Sequence, residues 1–246
     1  MTRLVFRCFY LGVTRYKNIL QLQEKLVKWH QSQPEVSTLL LLQHKPVYTI
    51  GLRSKLYNET DKDKLELLGA DFVKTNRGGL ITFHGPGQLV VYPIFSLATA
   101  NMGVRNYVNS LEEVVISLCK RYDLNGSRSP HTGVWIGNNK ICAMGISCQR
   151  SVTSHGLALN CNTDMGWFNK IVPCGIHGKG VTSITECTGT EVTVEDVLSQ
   201  FIQDFSDIFN CETQTLEVLD ENLDNSVLAK LITEKDSEGL IKNLVS

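Results

Sequence analysis

Short, paired strand patterns separate the two most strongly amphipathic helices of this chain, and this arrangement limits its fold more than any other feature. Val104–Tyr122 carries apolar residues at helical spacing, and a second amphipathic helix begins at Thr193. Between them, Val134–Ile136 and Lys140–Ile146 flank Gly137-Asn138-Asn139, a pattern typical of a hairpin. Strands and helices that interleave without regular βαβ units predict an α+β fold, in which a mixed sheet packs with helices.

Further elements are predicted on both sides of this region. Thr14 is a candidate N-cap for a helix that reaches about His30, and Asp196 forms part of a capping box with Thr193. Leu4–Leu11 predicts a first strand, although the basic, acid-poor start of the chain is also typical of an organelle transit peptide. The other predicted strands are Thr38–Leu42, Val47–Ile50, Asp71–Thr75, Leu80–Phe83, Leu89–Phe95 and Gly156–Cys161, and a short helix is predicted over Asp61–Leu68.

Composition and charge exclude several classes of protein. The chain has 246 residues, of which 42% are hydrophobic and 20% charged, which excludes a disordered or collagen-like protein. Its net charge of −1 gives no support for a general nucleic-acid binder. No apolar run approaches the roughly 20 residues of a membrane span. Residues 212–246 carry a net charge of −5, which leaves +4 for residues 1–211, so we expect one domain followed by a peripheral acidic tail.

The eight cysteines do not form a metal or disulfide pattern. There is no CxxC pair, and the histidines are scattered, so no metal site is expected. Most of the cysteines lie in apolar runs such as Lys140–Met144, where a free thiol behaves as a small hydrophobic group. The sequence therefore predicts free cysteines in a reducing compartment.

A stretch rich in glycine and proline is the first candidate for a binding site. Five of the twelve residues in Arg77–Gln88 are Gly or Pro, which permits close approach of a ligand to backbone N–H groups. The alternative is a tight turn between two strands. Gly178-Lys179-Gly180 lacks the Ser or Thr of a P-loop, so phosphate binding of that kind is excluded.

Cys174 differs from the other cysteines because it lies between Pro173 and Gly175 in a turn-like segment. A nucleophilic cysteine needs its thiolate, and the ordinary thiol pKa of about 8.5 must be lowered by a nearby cation. Packing is the alternative role for any one cysteine among eight. The candidate cations are Lys140, His84, His155, His177 and Lys179.

Four ordered motifs resemble the lipoyl(octanoyl) transferase family. They are Arg77–Gln88 with Leu89–Ile94, Gly133–Ile136 with Lys140–Gly145, His155–Asn160, and Pro173-Cys174-Gly175. The resemblance extends from about Val5 to Phe209. Asn160-Cys161 and Ile171–Cys174 are more similar to the animal mitochondrial branch, which implies a mitochondrial location.

The resemblance implies the fold of the biotin/lipoate protein ligase catalytic domain over residues 1–211. It also implies an octanoyl-[acyl-carrier-protein]–protein N-octanoyltransferase, in which Cys174 forms an acyl thioester. Lys140 would be the cationic partner of that cysteine and later the base for an incoming amine. The implied substrate-binding residues are Arg77, Gly78, Gly79, Leu80, Ile81, Thr82, Phe83, His84, Ala143, Met144, Gly145, Gly156, Leu157 and Ala158.

The implied donor is octanoyl-acyl carrier protein. The implied acceptors are lipoyl domains such as the glycine cleavage H protein or 2-oxoacid dehydrogenase E2 subunits. Because a thioester already carries the energy of an amide bond, no cofactor is expected. Two alternatives stay open, namely an ATP-dependent lipoate or biotin ligase on the same fold and a non-catalytic acyl-carrier-docking protein.

Overall fold

The computed structural model describes residues 4–52, 59–171, 178–214 and 217–218. Its helices are α1 (Tyr16–Ser32), α2 (Glu59–Glu66), α3 (Val104–Lys120), α4 (Ile184–Thr188) and α5 (Val194–Phe209), with a 3₁₀ helix at Met165–Lys170. Its strands are β1 (Val5–Thr14), β2 (Ser37–His44), β3 (Val47–Ile50), β4 (Asp71–Lys74), β5 (Ile81–His84), β6 (Gln88–Ile94), β7 (Gly126–Ser127), β8 (Val134–Ile136), β9 (Asn139–Gln149), β10 (Val152–Asn160), β11 (Gly180–Val181), β12 (Glu212–Thr213) and β13 (Glu217–Val218).

A large mixed sheet forms the centre of the molecule. Within the described residues its strand order is β12-β1-β2-β6-β10-β9-β8-β7, and β13 and β11 add to β1 and β9. The pairs β1–β2 and β9–β11 are parallel, whereas β2–β6, β6–β10 and β10–β9 are antiparallel. The predicted α+β fold with a mixed sheet and packed helices is confirmed.

Helices cover both faces of this sheet. Alternate residues of β1, such as Phe6 and Cys8, face α3 and α5, and the intervening Phe9 and Leu11 face α1. All four side chains are at most 1% exposed. Strands buried on both faces lose the apolar–polar alternation of a half-exposed sheet, which explains the continuous apolar run Leu39–Leu42.

A second, three-stranded sheet of order β4-β3-β5 lies beside the first within the described chain. Its apolar face forms a separate cluster with the 3₁₀ helix, in which the Phe83 ring stacks on Trp167 with centroids 5.0 Å apart. The two sheets are connected through Arg77–Gln88, because β5 belongs to the small sheet and β6 to the large one. The glycine-rich motif therefore lies where the two sheets meet.

Several predicted details change in the structure. The predicted first strand, Leu4–Leu11, is confirmed as β1, which lies between β2 and β12 and extends to Thr14. Thr14 was predicted to cap α1, but it is the last residue of β1, and Arg15 is the N-cap without a side-chain hydrogen bond. Thr14 Oγ1 donates instead to the Gln43 carbonyl at 3.4 Å. The capping box of Thr193 and Asp196 is confirmed.

The segment expected to form a peripheral tail begins at the edge of the sheet. Glu212 and Thr213 pair with β1 in parallel, as do Glu217 and Val218. Residues 219–246 of this tail lie outside the described residues. No helix within the described ranges is long and apolar enough to cross a bilayer.

Candidate functional site

Two adjacent spaces lie where the sheets meet. The inner cavity lies between α1, the 77–84 segment and the middle of β9 and β10. The outer cleft is bounded by the 130–132 loop, Val108 of α3 and Lys140. Gly79, Leu80, Met144 and Gly145 line both spaces, so the outer cleft and the inner cavity are adjacent.

The structure brings most of the implied substrate-binding residues to these two spaces. Arg77, Gly79, Leu80, Thr82, His84, Ala143, Met144, Gly145, Gly156, Leu157 and Ala158 line the inner cavity, and Gly78 lines the outer cleft. Ile81 and Phe83 do not line the cavity, because successive residues of β5 face opposite sides and these two face the cluster of the small sheet. Their implied contact with substrate is therefore indirect at most.

Strands β9 and β10 form the apolar wall of the inner cavity. Gly145 pairs with Gly156, and Met144 pairs with Leu157. A Cβ atom at Gly156 would collide with the Val91 carbonyl oxygen on β6. Glycine is therefore required at this position by the close approach of the neighbouring strand.

Arg77 fixes the glycine-rich segment to the small sheet. Its Nη2 donates to the Thr49 carbonyl and to Thr49 Oγ1, each at 2.8 Å, and to the Leu80 carbonyl at 3.0 Å. Nη1 donates to the Gly78 carbonyl at 2.9 Å. These acceptors hold the two terminal nitrogens of a guanidinium that is only 7% exposed, so Arg77 both holds the loop and places a positive charge beside the cavity.

Lys140 is a buried cation at the wall of the outer cleft. Its side chain is 6% exposed, Nζ donates to the Thr132 carbonyl at 3.0 Å, and Nζ lies 4.9 Å from the centroid of the Trp135 ring. Lys179 Nζ lies 5.8 Å from the same centroid. Cation–π attraction stabilises both ammonium groups, and together they make this end of the cleft electropositive.

A buried carboxylate supports the loop that carries the Lys140 acceptor. Glu112 of α3 accepts from the Gly133 N–H at 2.9 Å and from Arg128 Nε at 3.1 Å. Gly133 has φ +122°, and a Cβ there would lie 2.5 Å from the Cys142 carbonyl oxygen. The 128–133 loop is thereby held against Lys140 by charge-assisted hydrogen bonds and a glycine backbone.

The histidines of the inner cavity are neutral. Burial lowers the pKa of His84 well below its usual value of 6.5, and the nearby His44 and Arg77 lower it further. Burial lowers the pKa of His155 to about 4, and Arg77 adds to this effect. Neither imidazole is therefore a cation at neutral pH, which removes His84 and His155 from the candidate partners of a thiolate.

A chain of hydrogen bonds connects His84 with the strand of Lys140. His84 Nδ1 donates to Gln88 Oε1 at 2.8 Å, and Gln88 Nε2 donates to Asn160 Oδ1 at 2.8 Å. Asn160 Nδ2 donates to the Thr182 carbonyl at 2.9 Å, and the Thr182 N–H donates to the Lys140 carbonyl at 3.0 Å. These bonds fix the cavity and the cleft relative to each other.

Cys174, Pro173, Gly175 and His177 lie outside the described residues. Immediately after that segment, Gly180 and Val181 pair in parallel with Asn139 and Lys140. The chain that leaves the Cys174 motif therefore runs directly beside Lys140.

The fully buried cysteines are unsuited to nucleophilic attack, because burial disfavours their thiolate form. Burial raises the pKa of Cys8, Cys119 and Cys161 to about 12, and it raises the pKa of Cys142 further. All seven described cysteines are free thiols, and the buried ones pack in the apolar cores. No group of His, Cys, Asp or Glu among the described residues is placed to hold a metal ion.

Sequence reasoning missed three side chains of the site. Tyr16 and Tyr92 line the inner cavity, and Trp135 lies under Lys140. Trp135 lies in the motif Gly133–Ile136 and Tyr92 in the segment Leu89–Ile94, so the family motifs already marked the neighbourhood of both side chains. Tyr16, at the first turn of α1, had no signal because it reaches the cavity only through the packing of α1 on the sheet.

The chain resembles known proteins over most of its length. Residues 15–206 match the family described as the lipoyl protein ligase A/B catalytic domain. The mitochondrial octanoyl-[acyl-carrier-protein]:protein N-octanoyltransferase of Danio rerio is 50% identical over 213 residues, covering 86% of this chain and 95% of that protein. The mitochondrial protein of the same name from Homo sapiens is 43% identical, covering 83% of this chain and 94% of that protein. The octanoyltransferase of Desulforamulus reducens is 42% identical, covering 89% of this chain and 96% of that protein.

Solved structures share the fold at lower identity. A lipoate-protein ligase A bound with ATP superposes with a TM-score of 0.70 at 15% identity, covering 94% of this chain and 95% of that one. A bi-partite lipoate protein ligase from Thermoplasma acidophilum gives a TM-score of 0.69 at 16% identity, covering 95% and 94%. The ligases thus share the fold alone, whereas the relatives of high identity are acyltransferases. The chain belongs to the lipoyl protein ligase A/B catalytic-domain family, and within it to the octanoyltransferases.

Proposed function

We propose that this acyltransferase takes an octanoyl group from octanoyl-acyl carrier protein and transfers it to a lysine of a lipoyl-dependent domain through a thioester on Cys174. The buried Lys140 ammonium at the entrance of an apolar cavity carries this proposal. The apolar wall formed by β9 and β10 suits a hydrocarbon chain, and a buried ammonium suits the stabilisation of a thiolate or of a developing negative charge on a carbonyl oxygen.

The chain connectivity supports a meeting of Cys174 with Lys140. Gly180 pairs with Asn139, and the six Cα–Cα steps from Cys174 to Gly180 span at most roughly 22 Å. Because His84 and His155 are neutral, the described cations at this end of the cleft are Lys140 and Lys179. Lys140 is the buried one and faces the cleft.

The reaction then balances without ATP. The Cys174 thiolate attacks the octanoyl carbonyl, the carbon–sulfur bond to the carrier breaks, and the departing carrier thiolate takes a proton from the Lys140 ammonium. Lys140 is left as a neutral amine beside an uncharged thioester. When the amine of the acceptor lysine attacks this thioester, Lys140 accepts its proton and Cys174 leaves as the thiolate. The starting charges are thereby restored.

Intact-mass spectrometry tests the covalent step. After incubation with octanoyl-acyl carrier protein and no ATP, we expect a mass increase of one octanoyl group in the wild type and none in Cys174→Ser. Cys142→Ser is the matched control, because this buried thiol lies two residues from Lys140 and its removal is expected to leave the adduct intact. An adduct of equal yield in Cys174→Ser, or transfer that depends on ATP, would overturn the proposal.

The pH dependence of Cys174 alkylation tests the role of Lys140. Removing the ammonium in Lys140→Ala is expected to move the alkylation profile to higher pH, and Lys140→Arg is expected to restore the profile but not the second half-reaction, since a guanidinium stays protonated. Lys179→Ala is the control, because it removes the second ammonium at the same indole ring. Superimposable profiles for wild type and Lys140→Ala would exclude Lys140 as the activating cation.

We also propose that the protein acts in mitochondria, where its animal relatives are named as mitochondrial. The acceptors are then lipoyl domains of that compartment, such as the glycine cleavage H protein or 2-oxoacid dehydrogenase E2 subunits. Cell fractionation with a C-terminal tag tests the location, and an exclusively cytosolic protein would contradict it. Purified acceptor domains, compared by kcat/KM, test the acceptor.

A further inference from the structure

A third space, which the transfer reaction does not use, shares one lining residue with the inner cavity. This back groove lies on the surface between α1 and the turn that joins β9 and β10. It is lined by Gln23, Val27 and Gln31 of α1 and by Gln149, Arg150 and Ser154 of the turn region. His155 lines both the inner cavity and the back groove, so its imidazole belongs to the wall between them.

The ring of His155 is fixed on both sides of this wall. Nε2 donates to Oδ1 of Asn76, which lines the back groove, at 2.8 Å. Nδ1 lies 3.5 Å from the hydroxyl of Tyr16, which lines the inner cavity. The backbone N–H of His155 donates to Gln23 Oε1 at 2.7 Å. A ring held by partners from α1 and from the 76–77 segment cannot turn aside without losing these contacts.

The backbone of His155 is itself specialised for this position. It has φ +56° in the middle of β10, a left-handed conformation that is uncommon for residues other than glycine. Strict alternation with Leu157 and Leu159, which face α3 and α5, would place His155 on that face as well. The left-handed conformation instead brings the ring to Tyr16 on α1. Strained backbone of this kind persists where its surroundings require it, and such positions cluster at functional sites.

We propose that His155 is the end wall of the acyl cavity and limits the length of the acyl chain that the enzyme accepts. This inference rests on the proposed function. On this proposal, a hydrocarbon that enters past Lys140 contacts Met144, Leu157 and Ala158, and the imidazole of His155 closes the cavity on the side of the back groove. Longer chains would have to displace a ring held by two hydrogen bonds, although the back groove offers space directly behind it.

Removal of the ring is therefore expected to lengthen the accepted chain. In His155→Gly, glycine adopts φ +56° without strain, so the backbone of β10 is kept while the cavity opens into the back groove. Each additional buried methylene is worth about fourfold in kcat/KM, so the dodecanoyl-to-octanoyl ratio is expected to rise by at least about tenfold. His155→Asn, which tolerates the same backbone and is shorter, is expected to give an intermediate rise.

The experiment compares kcat/KM for hexanoyl, octanoyl, decanoyl and dodecanoyl carrier proteins. His30→Gln is the matched control, because this buried histidine of α1 lines neither the inner cavity nor the back groove, and its ratios are expected to equal those of the wild type. A merely structural role for His155 would lower all four values together and leave the ratios unchanged, and that result would overturn the inference. If His155→Gly does not fold, the ratios of His155→Asn decide in the same way. Wild-type protein that transfers no octanoyl group would overturn the proposed function instead, and the length limit with it.

Discussion

Buried histidines make the stability of this protein sensitive to mild acid. Burial lowers the pKa of His30 and His155 to about 4 and that of His44 to about 3, against 6.5 for an exposed histidine. The unfolded chain therefore binds protons below about pH 6.5 that the folded chain excludes until its own lower pKa is reached. The stability from these groups is fully present above pH 6.5 and is lost as the pH falls towards 4. At about pH 5 each of these histidines lowers the free energy of unfolding by roughly 2 kcal/mol. This is a large share of the 5–15 kcal/mol that is the free energy of unfolding of a typical domain.

His30 offers a test of this effect outside the candidate site. It is fully buried on α1, and its Nε2 lies 2.9 Å from Thr38 Oγ1, a hydrogen bond that an amide side chain can replace. Urea unfolding followed by circular dichroism between about pH 7 and about pH 5 should show the loss of stability, and His30→Gln should reduce that loss by about 2 kcal/mol. The exposed His131 provides the control variant His131→Gln, which is expected to follow the wild type. A wild-type free energy of unfolding that does not change over this range, or an unchanged slope in His30→Gln, would refute the reasoning.

Three further predictions concern the cavity and its surroundings. Gly156→Ala forces β6 and β10 apart at Val91 and should lower the free energy of unfolding by about 2–4 kcal/mol in urea titrations. The control Gly103→Ala changes a glycine with open space around its Cα and should lower that free energy by less than about 1 kcal/mol. Equal losses in the two variants would contradict the close approach of β6 to Gly156. Glu112→Ala leaves the Gly133 N–H without its acceptor and should lower kcat/KM, and it should lower the free energy of unfolding by about 2 kcal/mol. The control Glu113→Ala removes only the exposed carboxylate partner of Arg128, which Glu112 also binds, and should change both quantities little. Equal effects in the two variants would show that the Gly133 contact is unimportant. The net charge of +4 on residues 1–211 should attract an acidic carrier protein, so kcat/KM should fall as the salt concentration rises. The reason is that 0.1 M salt screens charges that are more than about 10 Å apart. A kcat/KM that does not depend on salt would exclude electrostatic attraction of the carrier.

Local patterns in the sequence were sufficient for most of the elements. The helical spacing of Val104–Tyr122 and the capping box at Thr193 correspond to α3 and α5, because the core face of a helix repeats with the helix period itself. The hairpin at Gly137 was predictable because few residues adopt its positive φ of +57° as readily as glycine. The turn at Arg150-Ser151 was not, since both residues have positive φ without the usual turn residues. Thr14 failed as a cap because pairing of β1 with β2 extends through it.

The candidate site depended on tertiary structure to a much greater extent. Spacing alone left the 77–88 stretch undecided between a turn and a binding loop, and only the resemblance to a family assigned roles to Lys140 and Cys174. The cavity itself is a contact between elements far apart in the chain, from Tyr16 on α1 to Leu157 on β10. Whether His84 carries charge depends on desolvation and on neighbours that no local pattern contains. The sequence thus determined the strands, the helices and the chemical groups available. The packing of α1 and the small sheet against the large sheet decided which of these groups face one cavity, because burial and proximity are properties of the folded chain alone.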